Sequence, residues 1–331
     1  MAPQGGRRVD TIFLGGGTPS LMTPAQMKAL MESMKSEFDV SQGAEITLEA
    51  NPETVNTAAA TTWADLGINR LSIGAQSFQD GVLKQLGRRH DSGSTRAAVE
   101  AARAGGVPAI SLDIIAGVQG TALMADLDEA LALAPEHVSM YLLEVDEEEV
   151  GGVTNLARRA ARGQATVPDD DWFATIYPRA VARLAGAGLQ RYEISNFARI
   201  GSASRHNLRY WRCQEVLGFG VAAHSLVNGH RHGVAGDLQA YLDSGGVPPV
   251  TCDEGGMAER IAEAWILGLR LDRGVTAREV SVRTGYDQVE LSEEKVQPLM
   301  EGGLMRRRGE RLFLTERGIL LSNEVFQVFL P

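Results

Sequence analysis

Cysteine is nearly absent. Cys213 and Cys252 are the only two in 331 residues, too few for the disulfide framework that staples small secreted folds, so a reducing, cytoplasmic setting is expected. Long apolar runs are lacking as well: none approaches the roughly 20 residues needed to span a bilayer. The opening residues MAPQGGRRVD hold two arginines and no apolar run, and are not expected to serve as a secretory signal. Positive charge is in deficit, with 32 Lys and Arg against 42 Asp and Glu. General affinity for nucleic acid through phosphate contacts is therefore not expected. Fixed-period repeats are missing too.

Apolar residues make up 44% of the chain, enough for a substantial core in one large domain or two to three smaller ones. Short β-branched runs at 9–14, 45–50, 70–75, 109–115 and 137–143 alternate with helical patterns at 23–38, 54–66, 80–86 with 92–104, and 123–133. Strand then helix at about 30-residue spacing reads as βα units on a parallel sheet. Thr23 and Pro24 supply an N-cap and a proline at the first helical position, Ser92 is the expected cap of a later helix, and Gly67 and Gly105 sit where helices should stop. Five strands by residue 143 are too few for a closed eight-unit barrel, so an open or partial (β/α) barrel is expected.

Beyond that point, 150–164 reads as helical and Arg-rich, 169–187 as a long helix, and GLQRYEISNF as a late strand. HNLRYWRCQEVLGFGVAAHS is dense in aromatic, His and Gly residues and poor in simple periodicity. From about Met257, three helical patterns lead into LMRRRGERLFLT and a final helix. Helices followed by a short hairpin have the texture of a winged-helix unit.

In a parallel α/β barrel, reactive residues lie at the C-terminal ends of strands. Each strand run here ends in groups that can bind a ligand: Gly15–Thr18 in IFLGGGTPS, Glu49 in TLEANPE, Gln76 in LSIGAQSF, Asp113 in ISLDIIAG and Glu144 in YLLEV. Any one of them could be a satisfied polar group capping the sheet, but as a set they predict a pocket at the barrel mouth. The glycine triplet lets backbone approach a ligand closely. It is not a dinucleotide fingerprint, because its spacing differs and no helix starts at the third glycine.

The blocks IFLGGGTPS, ITLEANPET, RLSIGAQSFQDGVLKQLGRRH, ISLDIIAG and YEISNFA, in that order, resemble the HemW/HemN branch of the radical S-adenosylmethionine (SAM) family. That branch contains oxygen-independent coproporphyrinogen III oxidase and related heme chaperones. HNLRYW…LGFGVAAHS and RLFLTERGILLSNEVF point to the chaperone type. The resemblance covers essentially the whole chain. It implies an α/β fold, a partial (β/α) barrel of the radical SAM type followed by a C-terminal winged-helix-like domain. The implied divisions are a barrel core over 1–165, its completion with the HNxxYW region over 166–250, and the C-terminal domain over 251–331. By position it assigns Gly16, Gly17, Thr18, Glu49, Gln76, Arg88 and Asp113 to SAM. Acidic and amide groups suit ribose hydroxyls and an ammonium, and a guanidinium suits a carboxylate. Arg88 has the weakest support from chemistry alone, since an arginine after a helix is usually solvated.

One departure is large. The family holds a [4Fe-4S] cluster with C-x3-C-x2-C after the first barrel strand, with SAM chelating the remaining iron. No such triplet occurs here, and Cys213 and Cys252 read as a buried small hydrophobe and a loop thiol. The chain begins where the family's second barrel strand begins. Residues of strand 9–14 are thus expected at an uncovered edge, and an upstream in-frame segment of about 40–70 residues carrying a strand and the cysteine triplet is expected.

His206 with Tyr210 and Trp211 combines an imidazole with two aromatics, and the resemblance implicates this block in heme handling, with His206 as the iron ligand. A buried polar knot is the competing reading, and it applies more strongly to His224. His230 and His232 could recruit a metal, but a turn between strands is the preferred reading. The acid run 146–149 reads as a solvated loop, and Arg306–Arg308 with Arg311 as a wing that docks protein or serves the fold alone. The leading expectation is a heme chaperone that delivers heme to a partner protein, with room for peripheral association with a membrane partner. The alternatives are a radical SAM coproporphyrinogen III oxidase and a cluster-free scaffold.

Overall fold

The computed structural model describes residues 6–118, 122–143, 169–245, 249–253 and 255–331. Glu144, the acid run 146–149 and the Arg-rich stretch 150–164 lie outside the described residues. Two compact units form: one spans residues 2–191 and 195–203, the other 192–194 and 204–331.

In the first unit, β1 (Arg8–Leu14), β2 (Asp39–Ala50), β3 (Arg70–Gln76), β4 (Ala109–Ala116) and β5 (His137–Leu142) pair in parallel in sequence order. The late strand is two short ones, β6 (Gln190–Glu193) and β7 (Asn196–Ala198), and β7 runs antiparallel to β5. The result is a seven-stranded sheet in the order β1-β2-β3-β4-β5-β7-β6, a curled partial barrel. Strand β2 is longer than its β-branched run because Asp39–Ala44 is drawn into it, with an irregularity between the Val9 and Thr11 pairings.

The connecting helices are α1 (Pro24–Glu37), α2 (Thr57–Asp65), α3 (Asp80–Gln85), α4 (Ser92–Ala104) and α5 (Leu123–Ala132), followed by α6 (Asp170–Gly186). Thr23 closes a capping box with Gln26, as its spacing predicts. The cap of α4 is Asp91 rather than Ser92: its carboxylate accepts from the Ser94 N–H at 2.7 Å, and an anion at a helix N-terminus also meets the dipole. Helix α2 starts later than its pattern suggests, because Pro52–Thr54 forms a separate 3-10 turn and Asn56 caps the helix.

Alternation along the strands decides what each face does. Leu48, Leu71, Ile73, Ile110, Leu112, Ile114 and Val138 are fully buried, and α1, α4 and α5 pack against β2, β3 and β4. Each such side chain contributes roughly 1.5–3 kcal/mol by leaving water. The alternate set, on the opposite face, is polar: Thr47, Glu49, Arg70, Ser72, Ser111, Asp113, His137 and Ser139.

In the second unit, β8 (His224–Val227), β9 (His230–Val234) and β10 (Val250–Asp253) make an antiparallel sheet. A second small sheet joins β11 (Val275–Thr276), β12 (Met305–Arg308) and β13 (Arg311–Leu314). Helices α7 (Arg205–Trp211), α8 (Leu238–Asp243), α9 (Met257–Leu269), α10 (Ala277–Thr284), α11 (Val289–Glu301), α12 (Glu316–Leu320) and α13 (Ser322–Gln327) complete it. Helices α10 and α11 leading into the β12–β13 hairpin give the winged-helix-like arrangement. Its core is anchored by Trp265, which stacks on Phe329 with centroids 5.2 Å apart.

Candidate functional site

The glycine turn after β1 uses its three glycines differently. A Cβ on Gly15 would lie 2.6 Å from Phe13 Cε1 and 3.0 Å from the Glu49 carboxyl, so close packing requires that glycine. Gly16 and Gly17 have φ of +78° and +63° and open space where a Cβ would be. Two consecutive left-handed residues turn the chain while leaving one side of it clear. The Gly16 N–H donates to Glu49 Oε2 at 3.0 Å. Thr18 Oγ1 sits 3.5 Å from Asn51 Nδ2.

Gln76 closes β3 with φ of +64°, a left-handed backbone on a residue with a full side chain. Its amide folds over Gly74, where Nε2 is 2.8 Å and Asn51 Oδ1 3.9 Å from the point a Cβ would occupy. The turn that follows is pinned from two directions. The buried Asp126 carboxylate of α5 accepts from Ser77 Oγ at 2.7 Å and from the Phe78 N–H at 2.8 Å. His90, also buried, reaches the Ala75 carbonyl at 3.2 Å with Nε2 and Glu53 at 3.6 Å with Nδ1.

Asp113 lies on the polar face of β4, and both its oxygens accept from Ser72 Oγ at 3.1 Å. Burial pushes its carboxyl up to about 6, and the nearby Glu49 charge pushes the same way. The Ser139 and Ser72 hydroxyls and the Arg70 charge oppose that rise. His137 is held well below the ordinary histidine range by burial and then by Arg70, so its ring is neutral and shares a 2.8 Å hydrogen bond with Ser111. Arg70 donates to the Ser202 carbonyl at 2.9 Å.

Gly16 and Glu49 are thus in direct contact, Glu49 lies near enough to Asp113 for its charge to act on that carboxyl, and Thr18 and Gln76 each lie close to Asn51 or to the Gly74 backbone. Arg88 is not among them: it follows α3, half-buried, and its side chain has no partner among the described residues. Sequence reasoning passed over Asn51, Ser72, Asp126 and Ser139. Ser72 and Ser139 were available from period-two alternation in RLSIG and HVSMYL.

In the second unit, Ser204 caps α7 and His206 is buried within it. His206 Nε2 shares a 3.1 Å hydrogen bond with the Tyr210 hydroxyl, and the two rings meet edge to face. Burial raises the Tyr210 phenol, which keeps it protonated. Tyr210 is 43% exposed. Trp211 does not present an open face: the Arg270 guanidinium lies 4.6 Å above its ring. His224 is exposed on β8 rather than knotted into a core, and His230 and His232 lie on β9 just past the Asn228–Gly229 turn. Cys252 is likewise exposed on a strand, not in a loop. On the wing, Arg307 pairs with Glu293, Arg311 with Glu279, and Arg306 stacks on Phe313.

Residues 2–134 match the Radical SAM superfamily and residues 258–321 the HemN C-terminal domain. The heme chaperone HemW of Bacillus subtilis is 34% identical over 340 residues, covering 100% of this chain and 88% of its own. The chain belongs to the HemW/HemN branch of the radical SAM superfamily. HemW of Mycobacterium tuberculosis is 34% identical, with 97% of this chain and 81% of that protein covered. The fold is that of Escherichia coli coproporphyrinogen III oxidase (HemN), at TM-score 0.80 and 21% identity over 98% of this chain and 78% of that one.

Against this family frame, the two cofactors fare differently. The donor set at the strand ends, with two carboxylates, an amide and a cleared backbone turn, fits the polar groups of SAM. A [4Fe-4S] cluster does not fit. The two cysteines cannot supply three thiolates, and among the described residues no three His, Cys, Asp or Glu side chains group to hold a metal. Anaerobic reconstitution of this polypeptide with iron and sulfide is therefore expected to leave no stoichiometric cluster by acid-labile sulfide and visible absorbance. A stable, SAM-responsive cluster would require ligands other than those found here.

Proposed function

We propose that this protein binds heme through its second unit and passes it to an acceptor protein, while the strand-end surface of its barrel holds SAM. The observation that carries the reading is similarity along essentially the whole chain to heme chaperones, joined to a helix that carries His206, Tyr210 and Trp211 within one and a half turns. SAM would be held by Gly16, Gly17, Thr18, Glu49, Gln76 and Asp113, with Arg88 free to engage a carboxylate. SAM supplies an adenosyl group and a sulfonium. The porphyrinogen-oxidase reading draws less support, because the relatives similar along the whole chain are heme chaperones while the likeness to the oxidase is one of fold. No helix among the described residues is long and apolar enough to cross a membrane, so an acceptor in a membrane would be met peripherally. We place the protein in the cytoplasm, consistent with its two free thiols.

For His206 to bind iron, the Tyr210 hydroxyl must release Nε2, and the exposure of Tyr210 gives it room to do so. His206→Ala is then expected to shift the Soret band and weaken heme binding by roughly ten-fold or more, with circular dichroism unchanged. Tyr210→Phe, which frees Nε2 without removing it, is expected to keep the ligated spectrum. An unaltered spectrum in His206→Ala, or its unfolding, would return this block to a structural role.

A further inference from the structure

The helix that carries His206 ends in a cluster of donors that have no acceptor. Trp211 closes α7, Arg212 caps it, and Cys213 turns the chain with φ of +49°. Around this turn, Trp211 Nε1, Arg212 Nε, Arg270 Nε and Arg283 Nη1 are all buried with no hydrogen-bond partner among the described residues. They share one neighbourhood. Arg270 lies over the Trp211 ring, Arg283 lies beside the Cys213 thiol, and the charges of Arg273 and Arg283 both act on Arg212.

The protein's own carboxylates do not satisfy them. Glu193, fully buried, takes Arg270 through Nη2 at 3.1 Å and leaves Nε open. Glu279 is shared between Arg273 at 3.1 Å and Arg311 at 3.0 Å. Arg212 therefore sits among like charges; burial first, then Arg273 and Arg283, pull its guanidinium below the ordinary arginine range. Buried N–H groups are nearly always paired in folded proteins, so four in one place call for an acceptor that is itself anionic. A carboxylate meets the need: it only accepts, it is planar, and it takes two N–H bonds side by side from arginine.

We propose that Trp211, Arg212, Arg270 and Arg283 form a carboxylate-binding site, and that, resting on the heme reading above, it takes the propionate groups of heme. The helix joins the two halves of the ligand: His206 would hold the iron, and the residues just beyond Trp211 would hold the acid edge. Neutral porphyrins would then be discriminated against by unpaired guanidinium groups rather than by shape.

Two measurements on the full chain test this. In the first, wild-type protein is titrated with hemin and with hemin dimethyl ester. The diacid is expected to bind about ten-fold tighter or more, since charged hydrogen bonds are lost in the ester. Arg212→Gln and Arg283→Gln are expected to bring that ratio close to one. In the second, glutarate is expected to raise the melting temperature of wild type beyond chloride at equal ionic strength, and not that of Arg283→Gln. Equal binding of diacid and ester with no response to glutarate overturns the site, as does ester discrimination that survives in both variants. If glutarate stabilises wild type but neither porphyrin binds, the carboxylate site stands and the heme reading falls.

Discussion

Replacing Asp113 by Asn is expected to make the protein more stable at pH 8 and less sensitive to pH. The Asp113 carboxyl titrates at about 6 in the folded chain because burial disfavours its charge, against about 4 in an unfolded one. Between those values the folded state holds a proton that the unfolded state has released. Stability then falls as pH rises through the window from about 4 to 6, and above it the loss is complete. Two pKa units set an upper limit near 3 kcal/mol; partial exposure of the site to solvent brings the expected difference to about 1–2 kcal/mol. Asn keeps an acceptor for the Ser72 hydroxyl and cannot ionise. Urea unfolding of both proteins from pH 4 to pH 8 isolates the effect as a difference curve, and parallel curves would show that Asp113 is not the titrating group. The same residue is proposed to hold SAM, so Asp113→Ala should weaken SAM by about 1–3 kcal/mol. A variant that gains stability while losing ligand separates the two roles.

This raised carboxylate was legible as a position but not as a state. Residue type near strand ends is written in the sequence: Glu49 and Gln76 lie at or beside the ends of β2 and β3, while Asp113 sits within β4 on its polar face. The parallel βα units and the partial barrel followed from the same rhythm. What local pattern could not carry was contact across elements. Ser72 meets Asp113 only because β3 and β4 pair in one register, and Asn51 meets Thr18 only through the β1–β2 pairing.

Other misses had local causes. Strand β2 begins at Asp39, ahead of its β-branched run, because the polar residues before Ala44 join the ladder through an irregularity that local polarity does not reveal. Asp91 outcompetes Ser92 as a cap because its carboxylate reaches the Ser94 N–H. Arg88 takes its assignment from the resemblance alone, since among the described residues no contact ties its side chain to the strand ends. The donor cluster beyond Trp211 was invisible for a related reason: its arginines lie at 212, 270 and 283, far apart in sequence.

Asp126→Ala is expected to have the largest effect on the barrel unit. The buried stripe of α5 is Leu123, Asp126, Leu127 and Ala130, so an aspartate occupies a position the helical period reserves for an apolar side chain. With 1% exposure it is tolerated because its two oxygens are taken by Ser77 Oγ and the Phe78 N–H. Alanine would strand both donors and leave a void, for a loss of about 3–5 kcal/mol. Asp126→Asn retains one acceptor oxygen and should lose about half as much. The consequence reaches the strand ends, because Gln76 holds its left-handed backbone, costing roughly 1–3 kcal/mol, only while the turn after it is fixed. Released from Asp126, Gln76 should relax toward ordinary strand geometry and withdraw its amide from over Gly74. Calorimetry well below the melting temperature should then show weaker SAM binding in Asp126→Ala, recovered in Asp126→Asn, while Asn51 and Asp113 remain in place. A stability loss under about 1 kcal/mol would mean that Ser77 and Phe78 find other acceptors, and that the turn is held by His90 instead.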